Sequence, residues 1–311
     1  MGKIPGASPG ITRGLFMKLL LLGTGTSHGI PVIGCDCAVC KSKDPHDRRY
    51  RAAAFFTTDG GSAVLIDVGP DFRMQAIEHG IKKIDRVLLT HSHADHLHGL
   101  DDLRIFSCNM WKKPDNERAL KQFNAPPIPI YTNKQTIEDV IYRFAYIFNP
   151  VKEGGGCARV ELKEVTEPFV VDEVTITPIP MMHGHLPTLG WLFTKTTDDG
   201  LKKSIAYLTD CNYISNESIS LLQKASGAAE GGIIEQLVID GLRIKPHSTH
   251  FSVLEAMQAA DNIGVQNMWV THLTHNSSHE EYKAYMNEHK QDFLGIKGTA
   301  APAYDGLELE V

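Results

Sequence analysis

An apolar run, Arg86–Thr90, passes without a break into H-S-H-A-D-H, which places His91, His93, Asp95 and His96 within six residues. A strand sends alternate side chains to opposite faces, so these four groups converge only if the strand ends there and a tight loop turns them inward. The chain therefore needs a buried sheet with a rim that can carry such a loop. Imidazole and carboxylate donors suit Zn, Mn or Fe. The fifteen histidines cluster elsewhere too, at His183 and His185, at His247 and His250, and at His272, His275 and His279. Clusters of this kind, set beside Asp and Cys, point to metal.

Short apolar runs recur along the chain: MKLLLLG, AAAFFTT, SAVLIDVG, RVLLTH, PIPIYT, VTITPIPM, LGWLFT, SIAYLTD, LVIDG and NMWVTH. They read as strands, several continuous enough to be buried on both faces. His183, Asp210 and His272 each stand just past such a run, as if ending a strand at one rim. Helices are expected at Asp71–His79, capped by Gly80, and at Lys134–Phe148, with Ile137, Ile141, Phe144 and Phe148 on one face. Ser252 with Glu255, and Ser278 with Glu281, are capping boxes that open two later helices. Strands interspersed with helices, and no clear linker, predict an α/β layered sandwich in one domain spanning 17–311.

A length of 311 residues suffices for a substantial core, and the net charge of −6 gives no bulk attraction to nucleic acid or anionic membrane. Six cysteines are too few for a disulfide scaffold, and Leu19–Leu22 is too short for a signal or a membrane span. A cytoplasmic location is expected. Residues 1–16 read as a flexible tail, 109–124 as a polar insertion, and 152–157 as a mobile loop.

The series H-x-H-x-D-H, then His, Asp and His at long intervals, resembles the metallo-β-lactamase fold superfamily. That resemblance implies an αββα sandwich and a dinuclear site of two divalent ions, Zn or Mn. His91, His93 and His183 would hold one ion, Asp95, His96 and His272 the other, and Asp210 would bridge them. Asp67, in VLIDVG, matches the superfamily's early Asp, which supports the histidine loop. No role carries over to His98, His185 or His279.

Two ions sharing a hydroxide can attack a phosphoryl or carbonyl centre, so the ligands alone do not choose a substrate. His250, just before a helix start, matches a histidine that in the phosphodiesterase branch, including the tRNA 3′-end endonuclease (ribonuclease Z), protonates the leaving alkoxide. His247 is the alternative. GTGTSHGIP, followed by Cys35, Cys37 and Cys40, is similar to the subgroup of cyclic-phosphate phosphodiesterases from phosphonate breakdown. There, three such cysteines and a histidine matching His275 bind a structural zinc. On their own the three thiols fit a redox pair with a spare, a cluster site or ordinary buried cysteines, with a disulfide disfavoured by the expected reducing compartment. GTGTSHG leads to Ile-Pro rather than a helix, so it reads as a tight turn.

The resemblance thus implies a phosphodiesterase acting on a small, cyclic or linear, phosphodiester by attack of metal-bridging hydroxide, with Asp95 orienting it and His250 as acid. The alternatives are a tRNA 3′-processing nuclease, a thioesterase or lactonase, and a metal-stabilised binding protein. No membrane partner is expected, nucleic acid is not favoured, and a homodimer is suggested by resemblance alone. Arg73, Arg104, Arg243 and Lys245 are candidates to grip a phosphate.

Overall fold

In the computed structural model, residues 17–109, 115, 117, 124, 126–149 and 156–311 are described. The expected tail, nearly all of the expected insertion and residues 152–155 lie outside these. Two seven-stranded sheets form the body. In spatial order the first runs Glu308–Glu310, Lys18–Gly23, Ala53–Thr57, Ala63–Ile66, Arg86–Leu88, Ile128–Thr132 and Val160–Glu164. The second runs Ala300–Pro302, Val265–Thr271, Ile233–Asp240, Lys202–Leu208, Leu186–Thr196, Val174–His183 and Phe169–Val171.

The apolar runs are continuous because each sheet is covered on both faces. Leu19, Leu21, Val64, Ile66 and Leu88 point between the sheets, against Trp191, Ile205, Tyr207 and Val238. Phe56 stacks on Phe193 there, with ring centroids 4.0 Å apart. The alternate residues Leu22, Leu65, Val87 and Leu89 face outward, packed with Phe72 of helix Phe72–Glu78 and Val140 of helix Lys134–Arg143. On the far side, Ala206, Leu208, Leu237 and Ile239 pack with Leu222, Val253, Met257 and Tyr282. Those four come from helices Asn216–Ala225, Val253–Ile263 and His279–His289. The layers are therefore helix, sheet, sheet, helix, as the sequence predicts.

Strands Lys202–Leu208, Ile233–Asp240 and Val265–Thr271 run parallel, as do Ala63–Ile66, Arg86–Leu88 and Ile128–Thr132. Their carboxyl ends share one rim, the usual place for a site in a parallel sheet. Both capping boxes form. The expected helix 134–148 breaks at Phe144 (φ −115°, ψ 38°) into two pieces, and its buried residues are Thr136, Val140 and Ile147, while Ile141 is exposed. Cys157, expected in a loop, pairs as a short strand with Asn109. Strands Val160–Glu164, Phe169–Val171, Ala300–Pro302 and Glu308–Glu310 went unread, as did helix Asn216–Ala225. These strands sit at or next to sheet edges, where polar residues and proline are tolerated and the apolar signal is weak.

A buried arginine ties the amino-terminal segments to the carboxyl-terminal ones. Arg49 donates to Thr24 Oγ1 (3.0 Å) and to the Ala303 carbonyl (2.7 Å), while Asp305 accepts from Thr24 N (2.8 Å) and Tyr50 N (2.6 Å). His279, one of the histidines without a matched role, lies here: its Nδ1 accepts from Arg49 Nη2 at 3.4 Å, and its N–H donates to Asp47 at 2.7 Å. Burial, then the Arg49 charge, pushes His279 down to about 4. The folded chain thus binds fewer protons than the unfolded one between pH 6.5 and 4, and this contribution to stability is lost as pH falls through that window. A His279→Gln variant is expected to show a flatter fall of Tm from pH 6.5 to 4 than the parent chain, measured by thermal melts across that range.

Candidate metal centre

The histidine loop hangs from one carboxylate. Asp67, fully buried just past strand Ala63–Ile66, accepts from Thr90 N (2.8 Å) through Oδ1, and from Thr90 Oγ1 (2.9 Å) and His96 Nδ1 (2.6 Å) through Oδ2. Thr90 Oγ1 in turn lies 2.9 Å from His91 Nδ1. With Thr90 donating to Asp67, His91 Nδ1–H donates to Thr90, and both Nδ1 atoms are tied back so that each Nε2 points inward. A Cβ at Gly69 would collide with the Asp95 carbonyl, so only glycine lets the loop lie this close.

The Nε2 atoms converge with carboxylates from the other sheet. His96 Nε2 is 2.7 Å from Asp210 Oδ2 and 3.3 Å from Asp95 Oδ2. His272 Nε2 is 3.1 Å and 3.5 Å from the same two oxygens. Donors bound to one ion at about 2.0–2.2 Å stand roughly 3 Å apart, the spacing seen here. Beside this group the rings of His91, His93 and His183 gather, with centroids 4.6 Å (91–93), 5.1 Å (93–183) and 5.7 Å (91–183) apart. His91, His96 and Asp210 bring donor atoms within 4.8 Å of one another, so Asp210 faces both groups. Asp67, Asp210 and His272 all have positive φ (61°, 52° and 61°), a conformation non-glycine residues rarely hold, and three of the four such residues among those described are at this rim.

Charge makes the same demand. Burial opposes ionisation of Asp210, yet His272 and His96 hold its carboxyl well below the usual range. Burial likewise opposes a charged His96, but Asp210, Asp95 and Asp67 hold it protonated well above its ordinary value. Burial pushes His91 down and keeps it neutral. The Nε2 atoms of His91, His96 and His272 are buried without a well-aligned hydrogen bond. Polar atoms buried in this way are rare. The residues fit divalent cations, which would take the place of the protons that the carboxylates otherwise draw in.

His250 lies between the two groups, its ring 4.4 Å from His183 and stacked 4.9 Å from His272. Its Nδ1 donates to Asp240 Oδ2 at 2.7 Å, which leaves Nε2 facing the cleft. Asp240 is fully buried and also accepts from Cys211 N (3.1 Å) and Leu242 N (3.2 Å). His183 Nδ1 donates to the Thr249 carbonyl at 2.7 Å, so the residue before His250 orients a candidate ligand. His247 is exposed, 5.3 Å from His250, and its Nδ1 faces Thr249 instead.

Cys35, Cys37 and Cys40 each place Sγ 3.4 Å from His275 Nδ1. Zinc bonds of about 2.3 Å to sulfur and 2.0–2.1 Å to nitrogen, at the tetrahedral angle, require roughly 3.5 Å. The Cys40 N–H and then His275 lower Cys37 to about 6, whereas burial raises Cys40 to about 11. Zinc bound here would ionise all three thiols. The preceding GTGTSHG segment makes a turn, with Gly29 N donating to the Thr26 carbonyl at 2.9 Å, as the sequence suggests. It is also laced to the strand end bearing His272: Thr26 N donates to the Leu273 carbonyl (3.0 Å) and Leu273 N to the Thr24 carbonyl (2.9 Å).

A family model described as a beta-lactamase superfamily domain matches residues 62–273. The chain belongs to the β-lactamase superfamily. The crystal structure of a new diphosphatase from the PhnP family is 35% identical, with a TM-score of 0.74, covering 95% of this chain and 98% of its own. An octanoyltransferase of Porphyromonas gingivalis is 34% identical over 298 residues, which is 94% of this chain. This chain spans about half (51%) of that protein's length. Human tRNase Z, short form, shares the fold at 15% identity and a TM-score of 0.56, over 94% of this chain and 98% of its own.

Within this superfamily site, sequence reading missed Asp240, since LVIDG looks like an ordinary strand end and the partner His250 is ten residues away. It also missed the Thr249 carbonyl, because a backbone oxygen leaves no trace in residue type. His98 packs edge-on against Phe144, and His185 is exposed. Arg243 spends its guanidinium on the Lys245 (3.2 Å) and Pro246 (2.9 Å) carbonyls, and Arg104 on Asp101 (3.8 Å) and the Gly156 carbonyl (3.5 Å). Arg73 reaches Met74 Sδ at 3.5 Å, and Lys245 is exposed. Among the described residues no helix is long and apolar enough to cross a membrane.

A Cys37→Ala variant is expected to lose one zinc per chain by elemental analysis. It should also lose ~2–3 kcal/mol, read as a fall of roughly 3–5 °C in Tm.

Proposed function

We propose that this protein is a dinuclear metal-dependent hydrolase that cleaves a small phosphodiester, cyclic or linear. Bound at the His/Asp cluster, two divalent ions would supply an activated water and neutralise charge on the phosphoryl group. His91, His93 and His183 would hold one, Asp95, His96 and His272 the other, and Asp210 both. Asp95 would also orient the nucleophile.

The observation that carries this reading is the Asp240–His250 pair. Asp240 fixes the His250 tautomer with the proton on Nδ1, so a protonated His250 offers its second proton from Nε2 at the cleft. An alkoxide is a poor leaving group near neutrality and needs that proton, whereas a thiolate leaves readily without one. Helix Val253–Ile263 begins directly after His250, and its positive end favours an anionic substrate. The similarity to a PhnP-family diphosphatase supports phosphorus as the electrophile and keeps a diphosphate bond as the second reading.

His250→Ala is expected to lower kcat by about 10²–10⁴-fold on alkyl phosphodiesters and cyclic nucleotides. The loss on bis(4-nitrophenyl) phosphate, whose leaving group needs no proton, should be under about tenfold. Equal loss on both substrates, or faster turnover of a diphosphate or thioester than of any phosphodiester, would replace this reading. The screen is run with Zn and with Mn in parallel.

A further inference from the structure

Ser92 stands between His91 and His93, is buried, and is held from both sides by one helix. Its hydroxyl donates to Asp139 Oδ2 at 2.5 Å, and its carbonyl accepts from Arg143 Nη1. Asp139 and Arg143 are four residues apart on helix Lys134–Arg143, so they share a face and close on Ser92 together. The helix is itself anchored, with Thr136 and Val140 buried. At its other end the N-cap Asn133 accepts from Thr136 N at 2.8 Å through its side-chain oxygen. The Asn133 amide donates to the Pro187 carbonyl at 3.3 Å. Pro187 pairs with Met182 in the hairpin that carries His183. One short helix thus grips both segments that bring His91, His93 and His183 together. The Asp95, His96 and His272 group has no such helix against it: Asp67 holds His96 directly, while reaching His91 only through Thr90, and His272 stands at a strand end.

We infer that Asp139 and Arg143, acting through Ser92, are positioning residues that set the affinity of one of the two ions, the one assigned to His91, His93 and His183. This rests on the dinuclear reading above. Neither residue is one of the candidate metal ligands. Each restrains the backbone from which two adjacent ligands project, and partners of ligand groups commonly govern affinity this way. The hydroxyl bond fixes the rotation of Ser92, and the guanidinium fixes its carbonyl, so the two contacts leave the loop little freedom to relax away from the ion.

The test is titration of metal-free protein with Zn2+ against a competing chelator, with apo-protein Tm recorded for each variant. The parent chain is expected to take two ions at the His/Asp cluster, beyond the one held by the cysteines. Asp139→Asn and Ser92→Ala should each weaken one ion by about 10–100-fold, the same ion that His183→Ala removes, and leave the other unchanged. Combining D139N with S92A should weaken that ion no further, and Arg143→Lys should restore part of what Arg143→Gln loses. Unaltered affinity for both ions in these variants, or equal weakening of both, overturns the inference and leaves the dinuclear reading standing. A parent chain that takes fewer than two ions at the cluster overturns that reading itself. Ser92→Ala removes only a hydroxyl, so it carries the test if the charge variants fail to fold.

Discussion

The fully buried Asp67 carboxylate is the contact on which the rest of the site depends. It receives a backbone N–H, a hydroxyl and an imidazole N–H, and through Thr90 it governs a second imidazole. An ionised carboxylate without those donors would be costly to bury; with them it becomes a fixed negative point that dictates ring orientation. Two of the candidate ligands are therefore aimed before any ion arrives. The positive φ at Asp67 is the backbone cost of turning the carboxylate back over the rim.

The two sheets contribute unlike halves to the site. The first supplies the histidine loop and its support, and the second supplies single residues, Asp210, Asp240 and His272, from the ends of parallel strands. Asp210 joins them, since its Oδ2 approaches His96 from one sheet and His272 from the other. The core between the sheets, around Phe56, Trp191 and Phe193, thus sets the distance across which the ligands meet. A cavity opened there would be felt at the rim, because close-packed interiors transmit displacement. The Cys35, Cys37, Cys40 and His275 cluster is a separate constraint, pinning the segment laced to the His272 strand end.

Much of this fold is legible in sequence because its central strands are buried on both faces, so that stretches such as Leu19–Leu22 and Ala63–Ile66 carry no polar interruption. The edge strands are not legible for the opposite reason. VELKE is half solvated, and Ala300–Pro302 is only three residues long, too short a run to stand out. The break at Phe144 is invisible in periodicity, since an apolar residue suits both a continuing helix and its end. Helix Asn216–Ala225 has only Ser218 and Leu222 buried, too thin a stripe to stand out.

The sequence by itself determined which residue types stand at the strand ends and in what order, because a ligand that follows an apolar run is a local feature. The resemblance of that series to a known superfamily then supplied the pairing of ligands with ions. Only the tertiary structure decided which groups orient them. Asp240 meets His250, the Thr249 carbonyl meets His183, and Asp139 and Arg143 meet Ser92, each across a loop or between elements. An imidazole has two nitrogens, and which one faces the cleft depends on what the other touches. That contact is set by packing between segments distant in the chain, and no spacing rule encodes it.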